Sequence, residues 1–542
     1  MQDEPTSLRI EDPGVRALFT ESARFQAWLD VEAALAQAQA ELGIIPAGAA
    51  LEITRKAHLS FLDLDAVHAG LAKTGHPLVP LVWELDRVCG GDAGGYVHWG
   101  ATTQNITQTG QLLQVRRAHH IFLRQLATIL TTLADLAERT KDALLPGRTH
   151  GQHAVPATFG FKAAVWIDEL GRHVERLQGC EGRVFVAMLG GGAGTLASLG
   201  ALGLATQDGM AVRLGMRPMP VPARTIGDHQ AEYVTLLGML AATGSKIGRE
   251  IYTLMKQEFG EVEEPVPAGT VGSSTMPQKR NPKLSQDIIA AAAEIRALVP
   301  LALEAMQTEH EADRTTSIMM SRALAQACEI TGDMLQRLAV LLAGLQVFPD
   351  RMRRNLDLSG GLIMAEALML ELGKHIGRQR AHDAVYDAAQ GSVTRNRPFR
   401  GLLAEDPHIA ARLTPGQIEA LLDPAQYTGL CQEFAEAMRE LDAVITLSSL
   451  DLPTRLDDDQ ATARTYDRQC RLVFNVTGTP TISVPTGFSA SGMPLAMQIS
   501  GRNFDEPTVY RVAYSYCEAA GTCIGDDPKT QPRLAAAKAA AE

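Results

Sequence analysis

The sequence predicts a mainly α-helical chain built around a long central helical bundle, with a small α/β appendage at its C-terminal end. Three observations carry this reading. Aromatic residues make up 5% of the 542 positions while Ala is abundant, a balance that favours long packed helices over a sheet sandwich. Several stretches keep apolar residues at helical spacing well beyond the length of an ordinary globular helix. Beyond about residue 451 the texture changes to short alternating or apolar runs around turn residues.

Residues 21–42 place Phe25, Trp28, Leu29 and Leu35 at helical spacing among charges, and Gly43 with Pro46 ends the pattern. Residues 53–73 and 77–88 read as shorter helices, ahead of a glycine cluster at Gly90, Gly91, Gly94 and Gly95. Residues 106–144, 158–177 and 228–258 lack internal proline and are of bundle length. In residues 285–308 a seam of Ile288, Ile289, Ala292, Ile295 and Val299 continues the theme, with Pro300 expected to kink or break it, and 316–345 adds another long helix. Shorter helices fill 361 to about 450. Residues 481–485 and 495–499 flank a Ser489–Gly492 turn as strand, turn and strand, followed by a helix at 506–520 and a frayed tail from Ala535.

A net charge of −12 and a pI near 5.7, with no Lys/Arg stripe, exclude a nucleic-acid partner; a small anionic substrate would need positive charge gathered locally inside a site. The seven Cys are odd in number and scattered, with no CxxC pair, which excludes a disulfide framework and a zinc knuckle and fits a reducing cytoplasm. Residues 1–12 are polar and acidic, and no run of about 18 uncharged apolar residues occurs, so neither a signal peptide nor a membrane span is expected. No HxxxH or acidic-triplet pattern stands out, so no metal and no organic cofactor are expected.

The most informative stretch runs from Pro265 to Pro282. Proline, glycine and the adjacent Ser273 and Ser274 make a loop that cannot be helix, and Lys279 and Asn281 place a cation and an amide donor just before a long helix. A helix N-terminus adds positive potential and free N–H groups. These residues read as an anion-binding site with a hydroxyl beside it. Composition alone reads equally well as a surface loop entering a helix.

The order of residues is more specific than their composition. Gly-Ser-Ser-x-Met-Pro-x-Lys-x-Asn at 272–281 resembles the signature of the fumarase/aspartase superfamily, which includes adenylosuccinate lyases, argininosuccinate lyases and 3-carboxy-cis,cis-muconate cycloisomerases. The resemblance spans roughly residues 5 to 445 and is carried further by Asp30-Val-Glu-Ala-Ala-Leu35, His98-Trp-Gly-Ala-Thr-Thr-Gln-Asn105, Gly147-Arg-Thr-His-Gly-Gln-His153, Gly191-Gly-Ala-Gly-Thr-Leu-Ala-Ser198 and Leu422-Asp-Pro-Ala-Gln-Tyr-Thr-Gly429. It implies a three-domain fumarase/aspartase fold: an N-terminal helical domain at 1–108, a central long-helix bundle at 109–350 and a C-terminal helical domain at 351–450, with the appendage at 451–542. It also implies a homotetramer in which each active site draws on three subunits.

Removing a proton from a carbon next to a carboxylate builds a dianionic aci-carboxylate, so such a site must concentrate hydrogen-bond donors and positive charge at two oxygens. Serine is a poor base until neighbouring donors, cations and loop closure activate it. The resemblance implies that Ser273 is that base, ahead of Ser274, with Lys279 and Asn281 binding substrate carboxylate. It implies that Thr102, Thr103 and Asn105 hold a carboxylate, that His150 is a general acid or carboxylate binder and that His76 is a second active-site histidine. Arg314 is similar to an arginine that approaches a nucleotide phosphate in adenylosuccinate lyases, or reads as part of a helix-capping turn. The chain departs from its nearest branches at Asn105 and Gln108, where Asp is usual, and at Gln286, where Glu is frequent; fewer negative charges favour a more anionic substrate.

Residues 460–522, including Phe474 to Phe488 and Gly492 to Glu506, are similar to the end of amidase-signature enzymes, without the Lys and paired serines that carry amidase chemistry. The module is read as a structural or interface appendage. The reaction expected is β-elimination from a small anionic carboxylate substrate, C–N cleavage of an N-substituted aspartate releasing fumarate. The alternatives are cycloisomerisation of a carboxymuconate and, from another class, a non-catalytic assembly or amidase-docking protein.

Overall fold

The computed structural model describes residues 10–266, 269–271 and 273–438, together with the backbone of three strands at 443–447, 481–488 and 494–501. The chain divides into one unit at Met1–Ala435 and a second at Glu436–Glu542.

After a short helix at Val15–Leu18 comes helix α1 (Glu21–Glu41), which begins where the Thr20 side chain accepts the Ala23 N–H and buries Phe25, Trp28, Leu29 and Leu35. The stretch expected as one helix at 53–73 is two, Ala47–Lys56 and Leu64–Thr74. Between them the Asp63 carboxylate accepts the N–H groups of Asp65 and Ala66 and starts the second helix. A helix follows at Val79–Val88.

Five long helices then form the bundle: α2 (Thr103–Arg139), α3 (Phe159–Val184), α4 (Asp228–Leu254), α5 (Lys283–Glu304) and α6 (Arg314–Ala343). Their shared seam includes Leu237, Leu240, Ile247, Ile288, Ile295 and Leu324, all buried in one continuous core. Pro300 does not break α5, which continues to Glu304. The proline is exposed and near the helix end, where few further hydrogen bonds depend on it.

The helix expected at 106–144 ends at Arg139, and the chain turns into strand β1 (Leu144–Thr149), antiparallel to β2 (Gln152–Thr158). Thr149 pairs with Gln152 across a two-residue turn whose central residues, His150 (φ 52°) and Gly151 (φ 78°), are both left-handed. That is the requirement of a type I′ turn, which matches the twist of the strands it joins.

Successive helices run in opposite directions. The bundle therefore has a Thr103 end, where α3 and α5 finish and α2, α4 and α6 start, and a hairpin end, where the reverse holds. The 37 residues of α2 span about 55 Å at 1.5 Å per residue. Smaller helices from Ala365 to Leu421 surround a separate core of Leu368, Leu372, Phe399, Leu403 and Ile418. Among the described residues no helix is long and apolar enough to cross a membrane.

In the second unit Ala443–Leu447 is a strand where short helices were expected, and Thr481–Phe488 and Pro494–Gly501 form the expected antiparallel pair. The central strand of this sheet is Pro494–Gly501, which pairs antiparallel with both neighbours. The helix expected at 506–520 and the tail from Ala535 lie outside the described residues.

Candidate active site

The candidate residues fall into two groups at opposite ends of the bundle. His76, Thr102, Thr103, Asn105 and Arg314 lie at the Thr103 end, and His150, Ser273, Ser274, Lys279 and Asn281 at the hairpin end. Within one chain the two groups do not meet.

At the Thr103 end, His76 Nδ1 accepts the backbone N–H groups of Leu78 and Val79, at 3.3 and 3.1 Å. Two donors on Nδ1 leave the ring proton on Nε2, 3.3 Å from Thr103 Oγ1, so the imidazole donates to the hydroxyl. Thr102 and Thr103 are half-buried at the start of α2. Asn105 is fully buried, and its Oδ1 accepts from the backbone N–H of Thr102 (3.0 Å) and of Gly191 (3.1 Å). The amide thus ties the glycine turn to the first turn of α2, where a Cβ on Gly190 would stand 2.1 Å from the Pro222 carbonyl oxygen. Arg314 is exposed at the start of α6, where Asp313 accepts the Thr315 N–H as cap.

A pair that sequence reasoning missed supports this end. His98 Nδ1 lies 2.6 Å from Glu32 Oε1, and Glu32 is 2% exposed. Burial opposes the charged imidazole, but the Glu32 hydrogen bond and charge outweigh it, and the His98 pKa is raised. The pair holds His98 at φ 62°, four residues before Thr102.

At the hairpin end, His150 is exposed at the tip of the turn. Ser273 is half-buried, and its Oγ accepts from the backbone N–H of Met276 at 3.2 Å and, more loosely, of Thr275 at 3.4 Å. Donors aimed at that oxygen favour its ionised form, and Ser274 beside it is exposed. Lys279 is exposed and Asn281 half-buried, while Lys283 Nζ donates to the Val271 carbonyl and closes the base of the loop. The N–H groups expected to be free at the start of α5 are not: the buried Glu264 carboxylate accepts those of Leu284 (3.0 Å) and Ser285 (2.7 Å). Positive charge in this loop therefore comes from side chains.

The hairpin and the loop are joined by a clamp. Glu261, fully buried, receives Arg148 through two hydrogen bonds of 3.1 and 2.5 Å and Asn355 Nδ2 at 2.7 Å, and the Arg148 guanidinium lies 4.9 Å from the Phe259 ring. Arg148 sits two residues before His150, and Glu261 four residues before Pro265, so one ion pair fixes the base of the serine loop against the imidazole's hairpin. The partners are 113 positions apart, and only Arg148, inside the Gly147–His153 motif, carried a sequence signal.

Known proteins resemble this chain over most of its length. Residues 7–297 match the family described as lyase, and residues 361–438 match the adenylosuccinate lyase C-terminus. The chain belongs to the fumarase/aspartase superfamily of lyases. Residues 421–510 match the amidase family. An N-acetyl-S-(2-succino)cysteine lyase of Enterococcus italicus is 39% identical over 77% of this chain and 92% of its own length. The adenylosuccinate lyase of Methanothermobacter thermautotrophicus is 40% identical over 81% of this chain and 99% of its own. The 3-carboxy-cis,cis-muconate lactonizing enzyme of Pseudomonas putida superposes with a TM-score of 0.74 at 35% identity, covering 81% of this lyase and 98% of that chain.

The buried pairs should be visible in stability measurements. Glu261→Gln leaves Arg148 charged without its carboxylate and is expected to cost about 3–5 kcal/mol in a denaturant titration, while Glu263→Gln, in a partly exposed pair with Arg280 at 3.7 Å, costs less than about 1 kcal/mol. For His98 the folded pKa lies above the ordinary value of 6.5, so the Glu32 pair stabilises fully below that value and is lost as pH rises through the folded pKa. The melting midpoint of the wild-type lyase should therefore fall more steeply than that of His98→Gln as pH rises above about 6.5.

Proposed function

We propose that this lyase catalyses β-elimination from a succinyl-substituted compound, releasing fumarate. Ser273 takes a proton from the carbon beside the distal carboxylate, the electron pair closes the fumarate double bond, and the substituent on the adjacent carbon leaves as His150 protonates it. Lys279 and Asn281 bind the carboxylate on which charge builds, and Thr102 and Thr103 hold the other, with His76 orienting the Thr103 hydroxyl and Arg314 near the mouth. The observation that carries this reading is the pair of backbone N–H groups directed at Ser273 Oγ, the electrostatic support a serine base needs. The leaving atom is nitrogen, as in an N-substituted aspartate, or sulfur, the second reading favoured by the Enterococcus italicus relative. Cycloisomerisation of a carboxymuconate uses the same carbon acid and is kept open by the likeness to the lactonizing enzyme.

Because the two groups lie about 55 Å apart along α2, the site is completed by neighbouring copies that bring the Thr103 end of one chain against the hairpin end of another, in a homotetramer. No cofactor takes part in this scheme.

Fumarate release, followed by ultraviolet absorbance over N-substituted aspartates and S-succinylated thiols, tests the reaction. Turnover should fall by at least about 10³-fold in Ser273→Ala and much less in Ser274→Ala. No fumarate from any succinyl compound, with turnover of a carboxymuconate, would assign the cycloisomerase; no turnover of either leaves a scaffold. Shared sites predict complementation: Ser273→Ala and Thr103→Val chains, each impaired alone, should regain activity when refolded together, and a mixture no better than its components would refute shared sites.

A further inference from the structure

Beside the Thr103 end lies an open cleft with a volume of about 160 Å³, to which the elimination scheme assigns no role. Its floor is the face of α2 carrying Thr107, Gln108, Gln111 and Gln114, and its walls include Arg24 and Trp28 of α1. Thr107 follows Thr103 by one helical turn, so the Cβ atoms of the lining Thr107 and of Thr103 are about 5–6 Å apart. Among the described residues lining it, none is Asp or Glu.

The polarity of one wall follows from a relay of hydrogen bonds. Arg224 Nε, a donor only, gives its proton to Gln104 Oε1 at 3.0 Å, and Gln104 Nε2 returns one to the Arg224 carbonyl at 2.9 Å. The Gln104 amide is thereby fixed in one orientation, and its second N–H goes to Gln108 Oε1 at 3.0 Å. Gln108 must then present its NH₂ elsewhere, and among the described residues Gln108 Nε2 is buried without an acceptor. Trp28, 6% exposed, is packed against Gly110 and has a buried indole N–H in the same condition. Arg24 places its guanidinium 5.6 Å from the Trp28 ring and 3.7 Å from Glu21. Two buried donors lacking acceptors, a nearby guanidinium and no lining carboxylate make a wall suited to an anion and hostile to a cation.

We propose that this cleft binds the leaving half of the substrate through a carboxylate of its own, so that the preferred substrates are succinyl conjugates of compounds bearing a carboxylate and no free ammonium group. The inference rests on the assignment of Thr103 to the succinyl half. The Gln108 and Trp28 N–H groups hold the carboxylate oxygens, Arg24 adds long-range attraction, and the remaining glutamine and threonine side chains meet uncharged polar groups. An ammonium would find no counter-charge on the lining.

Titration calorimetry on the full chain tests this with N-acetyl-L-cysteine, its neutral carboxamide and the cation cysteamine. The acid should bind at least ten-fold more tightly than the carboxamide, with cysteamine undetected. Gln108→Glu, whose new carboxylate can still accept the Gln104 N–H, should weaken the acid at least ten-fold while leaving the carboxamide within about two-fold. Trp28→Phe, which keeps the ring and removes the donor, should weaken the acid several-fold. Equal affinity for acid and carboxamide, no binding of either, or an acid affinity untouched by Gln108→Glu overturns the assignment. Fumarate release on the same preparation separates the two claims: selectivity lost with elimination intact refutes the cleft alone, and selective binding without elimination refutes the lyase reaction alone.

Discussion

The length of the bundle constrains everything else in this lyase. Helices buried along most of their length are stiff rods, and a rod of about 55 Å keeps what is attached to one end away from what is attached to the other. In the reaction proposed, donors for one carboxylate stand at the start of α2, and the serine and the hairpin imidazole stand where α5 and α3 begin. Neither group can close a site alone, so in the reaction proposed the surfaces along the bundle become part of the catalytic apparatus: association of chains and assembly of the site are one event.

Within each end, buried ion pairs and amides do the local fixing. Glu261 with Arg148 and Asn355 holds the base of the serine loop to the hairpin. Asn105 holds the glycine turn to α2, and Glu32 with His98 holds the chain that leads into Thr102. Each lies within a few residues of a group assigned to chemistry. The cost of burying such groups is offset by a fixed backbone geometry, which a loop of glycine and serine cannot supply from its own torsions.

Much of this was legible in the sequence, for reasons that differ by element. The long helices follow from apolar residues at helical spacing, and the serine loop from its proline, glycine and motif order, because both signals are local. The β1–β2 hairpin was missed because its turn carries His-Gly rather than the Asn-Gly or Asp-Gly that marks such a connection, and because Leu144 and Leu145 extend the apolar pattern of α2. Pro300 does not end α5, because where a helix stops is settled by packing as well as by the missing N–H of a proline. The Glu264 cap and the Arg148–Glu261 clamp were invisible for the same reason: they join positions that only the fold brings together. The orientation of Gln108 needs three residues in space, since an amide's two faces are equivalent until a neighbour with a single role, here Arg224, breaks the tie.

The two-residue turn that carries His150 has a consequence for how this scaffold diversifies. A type I′ connection admits no extra residue without shifting the pairing of both strands, and a slip of one position would turn every side chain of the hairpin over. The imidazole is therefore mounted on an arm of fixed reach. Substrates of different bulk have to be accommodated by changing what surrounds that arm, so variation between close relatives is expected to collect in side chains facing the far half of the ligand, with the hairpin left as an invariant ruler.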